Sequence, residues 1–234
     1  MNTKLNQKVK HFITEYKLGD FFRNLTAVVL GIIITFIGSD MLAEHNTKKE
    51  VKRALQLVKN ELIENKEIMI DAQSTLKYQK KAARFLLKNK NHLSSIPKDS
   101  FDLYCHVPFF WATVHYTSDA LELLKNSSLF QKISDEQLSL QLIRTYGSIQ
   151  EAAAVFKIFY DQKQELNSKF DDNPKIKSFL ITESSDLEMW NFLFSTPEGY
   201  TFVKQIPEII GSEEPFEDKL EEIDKAIQAI EDYK

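Results

Sequence analysis

The chain has 234 residues, 43% hydrophobic and 27% charged, the composition of a folded protein; six Gly and six Pro exclude collagen-like and elastic chains. Cys105 is the only cysteine, which rules out an intramolecular disulfide and the usual thiolate zinc sites. The net charge of −4 is unevenly spread: residues 1–24 carry five Lys/Arg against two acids, 45–100 thirteen against six, and 101–234 twelve against twenty-four.

Residues 1–24 place Leu5, Val9, Phe12, Ile13 and Tyr16 at helical spacing among Lys4, Lys8, Lys10 and Lys17, with Gly19 breaking the run. This predicts a basic amphipathic helix lying on a membrane surface, with a disordered tail as the alternative. Residues 25–43 follow as "LTAVVLGIIITFIGSDMLA", uncharged from Leu25 to Gly38. At about 1.5 Å per residue this run covers about 28 Å, close to the ~30 Å hydrocarbon core of a bilayer. Cleavage after Ser39 or Ala43 would put Ile37 or Met41 at a position that wants a small residue, so an export signal fits poorly. An uncleaved transmembrane helix is expected, against the rival readings of a signal or a buried soluble helix. Five Lys/Arg flank the run on either side, but Arg23 abuts it whereas the first Lys after it is Lys48. The N-terminus is therefore expected in the cytoplasm and the body outside the inner (cell) membrane. Ala27, Gly31, Thr35 and Ser39 recur every four residues, a stripe of small side chains that would let two spans approach closely in a homodimer.

Residues 44–90 contain neither Gly nor Pro. Val51, Leu55, Val58, Leu62, Asn65, Met69, Ala72, Leu76, Gln79, Ala83 and Leu86 alternate spacings of four and three, predicting one long helix with a heptad seam. The seam suits a coiled coil between chains or the spine of an intramolecular bundle. Residues 91–234 read as a helical body packing on that helix. "NHLSSIPKDS" is a connector, "FDLYCHVPFFWATVHY" is aromatic-dense, and a short helix begins at Ser118 and Asp119. Ser134 and Gln137 form a capping box opening a second long helix to about Asn167. Shorter helices follow around 177–181, 186–194 and 201–210, and Phe216, Leu220, Ile223, Ile227 and Ile230 stripe a terminal helix. The expected class is all-α: one N-terminal transmembrane helix continuing into a long helix, then a bundle-like body.

The segments "FFRNLTAVVLGIIITFIGSDML" and "TSDALELLKNSSLFQKISDEQLSLQLIRTYGSI" resemble bacterial single-span membrane proteins of unknown function, in which a basic head and one span precede a helical body. Ala120, Leu121, Leu124, Lys125, Ser127, Ile133, Asp135 and Leu138 carry the likeness, while Ser128 stands where those proteins have glycine. The resemblance implies an architecture and no activity.

Enzyme signatures are missing: there is no phosphate loop, dinucleotide fingerprint, nucleophile elbow or His-Glu-x-x-His. Ser-x-x-Lys occurs at Ser74/Lys77 and Ser95/Lys98, as often as chance gives in a chain this rich in both residues. Cys105 and His106, with His115, are read as packing residues rather than a thiol dyad or a soft metal site, because adjacent residues on irregular backbone rarely point together. No catalytic residue, metal or cofactor is expected. Lys77, Lys80, Lys81, Arg84 and Lys88 form a basic face; nucleic acid is not the expected partner. Glu213 and Glu214, with the acidic face of Glu217, Asp218, Glu221, Glu222 and Asp224, crowd the terminal helix, which is expected to pack antiparallel or parallel against that basic helix. The chain is thus expected to be a membrane-anchored structural or protein-interaction module of the bacterial envelope. The alternative is a sensor binding a small ligand near Phe109, Phe110 and Trp111.

Overall fold

The computed structural model describes residues 18–171, 173–181 and 185–233. Most of the basic 1–24 segment, and the side chain of Ser39, lie outside the described residues. All regular structure among the described residues is helical. The helices are α1 (Leu18–Asn89), α2 (Lys98–Tyr104), α3 (Asp119–Asn126), α4 (Glu136–Asp171), α5 (Pro174–Ile181), α6 (Asp186–Ser195), α7 (Pro197–Ile210) and α8 (Glu217–Asp232). The chain divides into two compact units, residues 1–53 and 54–234, and α1 contributes to both.

In the first unit, the described part of α1 runs from Leu18 and includes Gly19; the helical run expected ahead of Gly19 lies outside the described residues. Every side chain from Leu25 to Phe36 is exposed, although the run is uncharged. It is the one helix among the described residues long and apolar enough to cross a membrane. Thr35 returns its hydroxyl to the Gly31 carbonyl at 2.8 Å, so that polar group is satisfied within the helix.

In the second unit the seam of α1 is the spine of the body. Leu55, Val58, Leu62, Met69, Ala72, Leu76, Ala83 and Leu86 are all buried by the chain's own later segments, so this stretch is an intramolecular seam. α8 runs antiparallel to it: Lys59 pairs with Glu231 and Lys66 with Asp224, lower numbers on one helix meeting higher on the other. α4 packs against α8 and α7, and α7 against α6.

The helix starts follow local chemistry. The carboxylate of Asp135 accepts from the backbone N–H groups of Gln137 and Leu138, so Asp135 caps α4 rather than Ser134. A charged acceptor one residue nearer the helix outcompetes the hydroxyl. Ser134 turns instead to the Tyr233 hydroxyl, 3.3 Å away. Thr196 caps α7 with Pro197 in its first turn, and Gly211, at φ 66°, ends α7 in a conformation that favours glycine.

Candidate functional site

Between Phe110 and Ser118 the chain has no regular structure, yet it crosses the body beside α1 and α4. Buried backbone polar groups need partners, and the polar residues of α1 supply them. Asn65, fully buried, donates to the Thr117 carbonyl at 2.7 Å and accepts from the Thr117 N–H at 2.9 Å. Gln79, also fully buried, donates to the Phe110 carbonyl at 3.3 Å. The Glu61 carboxylate accepts from the N–H groups of Ala120 and Leu121, opening α3 from a distance, and from the Tyr146 hydroxyl. Burial first, and the neighbouring Glu61 second, push the Tyr146 phenol well above its usual range.

Lys163 on α4 completes this network. Its side chain is fully buried, and its ammonium donates to Gln79 Oε1 at 3.1 Å and to the Phe110 carbonyl at 2.5 Å. The rings of Trp111 and Tyr160 lie 5.0 Å from the nitrogen and that of Phe159 5.8 Å. Burial pulls the ammonium down to about 7. Tyr160, whose phenol burial pushes up to about 12, has its hydroxyl near Gln79 without a well-formed hydrogen bond.

Outside this network, connector 110–118 and α4 enclose a groove of about 640 Å³, within the range of small-molecule sites. Trp111, Ala153, Ala154 and Phe156 line it, and the exposed pair Lys157–Asp161, joined at 2.6 Å, is also in the lining. Of the three aromatics singled out as a pocket, only Trp111 lines it. Phe109 is half-buried and packs on Trp190 at 5.5 Å and Phe202 at 5.8 Å, away from the groove, and the Phe110 ring is exposed.

The basic face meets acids from the loop ahead of α8 more than from α8 itself. Arg84 grips Glu213 through both terminal nitrogens, at 2.9 and 3.2 Å, and Lys80 reaches the same carboxylate at 2.8 Å. Arg84, then Lys80, hold the Glu213 carboxyl down at about 2. Lys77 pairs with Glu214 at 2.5 Å, and Lys81 lies over the Tyr104 ring at 5.6 Å. Within the acidic face, Asp224 alone of those paired here reaches α1, at Lys66. Asp218 pairs with Lys219, Glu221 with Lys225 and Glu222 with Ser148.

Cys105 and His106 sit in the turn after α2, and both face Asp186 at the start of α6. His106 Nε2 lies 3.2 Å and Cys105 Sγ 3.9 Å from the same Asp186 oxygen. Burial first, then Asp186 and Asp102, push the thiol up to about 11. His115 is elsewhere, lining the groove. The companion carboxylate lies 81 residues from Cys105, and no pattern in the sequence links the two. Searches of protein-family models, curated proteins and solved structures return no match to this chain.

Proposed function

We propose that the protein is a single-span membrane-anchored helical module of the cell envelope, its N-terminus inside, whose body engages a protein partner. One observation supports the anchor above others: the uncharged run from Leu25 to Phe36 is exposed on all sides. A buried soluble helix would have its apolar side chains covered by protein; here a bilayer is the medium that would take them out of water. The body needs no second chain to complete its seam, since its core is filled internally. Extraction of native membranes with alkaline carbonate tests the anchor. The protein stays in the pellet with an intact mass that includes Leu25–Ala43; release into the supernatant, or a mature chain beginning near residue 40, refutes it. Protease protection of the body in spheroplasts and in inverted vesicles tests the orientation.

The groove beside Trp111 supports a second reading, a receptor for a small apolar ligand. Purification from native membranes in mild detergent separates the two. A stable co-purifying protein supports the first, and a retained small molecule lost on Trp111→Ala supports the second.

A further inference from the structure

The cluster of Cys105, His106 and Asp186 lies apart from the groove and takes no part in the Glu61–Asn65–Gln79 network. Its three candidate ligand atoms lie within 4.8 Å of one another. Around a tetrahedral zinc ion, with bonds of about 2.0–2.3 Å, ligand atoms stand about 3.3–3.6 Å apart. The Asp186 oxygen is 3.2 Å from His106 Nε2 and 3.9 Å from Cys105 Sγ, so closing the set onto an ion requires movements of about 1 Å or less.

The scaffold holds these groups in place independently of any ion. Cys105 and His106 both have right-handed helical backbone, at φ/ψ of −64°/−30° and −91°/−16°, and their side chains converge on one carboxylate. Trp190 follows Asp186 by one helical turn and is fully buried. Its indole N–H donates to the Cys105 carbonyl at 3.0 Å. That bond fixes the turn against α6 from the core side. Ser185 caps α6 by accepting from the Glu188 N–H, which sets where Asp186 begins the helix. His106 is exposed and Asp186 partly so, leaving a side open to water.

We propose that Cys105, His106 and Asp186 bind one divalent, borderline-soft metal ion, zinc fitting best, with water in the fourth position. Thiolate, imidazole and carboxylate together suit zinc or cobalt, whereas calcium and magnesium favour oxygen ligands alone. On binding, the Cys105 thiol gives its proton to solvent and the sulfur lone pair forms the metal–sulfur bond. His106 donates its Nε2 lone pair and keeps its proton on Nδ1, and Asp186 binds as the carboxylate. Two anionic ligands neutralise the dication, which suits a half-buried position. The ion clamps the turn after α2 to α6.

The full chain in detergent, stripped with a chelator and titrated with cobalt(II), tests this. The expected result is one cobalt per chain, with a sulfur-to-cobalt charge-transfer band, release of one proton, and displacement by zinc. Cys105→Ser abolishes the band. His106→Ala, a change at an exposed side chain that the fold tolerates, weakens binding tenfold or more. Trp190→Phe keeps an aromatic side chain, though a smaller one, and removes the indole donor; it weakens binding about tenfold, as loss of an outer-sphere contact does. No saturable cobalt signal in a folded chain, or a signal that His106→Ala leaves unchanged, overturns the proposal.

Discussion

A buried lysine makes stability depend on pH with a definite sign. Lys163 is pulled from 10.5 to about 7 in the folded state, while the unfolded chain keeps the ordinary value. Between these limits the unfolded state binds more protons, so stability rises with pH, and the penalty is largest below pH 7. At 1.36 kcal/mol per pKa unit the full penalty is at most about 5 kcal/mol. The two carbonyl acceptors and three aromatic rings around the ammonium favour the charged form and work against that limit. Lys163→Met removes the titration but leaves Gln79 Oε1 without its donor, a loss of ~1–3 kcal/mol that does not vary with pH. Comparing the two chains therefore cancels the Cys105 and tyrosine titrations. In urea unfolding followed by the fluorescence of Trp111 and Trp190, wild type gains about 1.5 kcal/mol over Lys163→Met between pH 7 and pH 8.5. A difference that stays constant over that interval refutes the reasoning, and means that the carbonyls and rings hold the ammonium charged.

Asn65→Leu strands both polar groups of Thr117 and lowers stability by about 2 kcal/mol, read as a lower urea midpoint at unchanged slope. Gly31→Ile adds bulk on the apolar run of α1, where a Cβ would meet nothing of the chain itself. If the stripe of Ala27, Gly31 and Thr35 carries a dimer, the substitution reduces association in a membrane two-hybrid assay while expression is unchanged; a dimer that survives it uses another surface.

The seam of α1 was legible because burial repeats with the helix. Positions chosen by alternating spacings of three and four, from Leu55 to Leu86, are the ones that later helices cover. The aromatic-dense stretch was legible as important but not as to which ring faces where, since backbone without a period gives no face to read. Lys163 left a trace that charge alone obscures: it falls in register with Phe156, Phe159, Tyr160 and Leu166, all on the buried side of α4. Glu213 and Glu214, two of the acids expected opposite the basic face, meet Lys80, Arg84 and Lys77 from the loop after Gly211, before α8 begins. Asp186 had no local signature, since its relation to Cys105 exists only through the packing of α6.

The polar seam residues explain why connector 110–118 can lie against the body without being a helix. An apolar seam would gain ~25 cal/mol for each Å² of extra buried area, but it would leave both backbone groups of Thr117 without partners and Lys163 without its Gln79 acceptor. Asn65 and Gln79 give up that burial to satisfy them, and Glu61 does the same for the first N–H groups of α3. These three residues thereby hold one wall of the groove, and α4, carrying Lys163 and Tyr146 to the same network, holds the other. Leucine at both positions would make a better coiled-coil seam and a worse body. The helix would gain an apolar stripe, but the connector would lose the partners that keep it on the protein, and the groove would lose its shape with it.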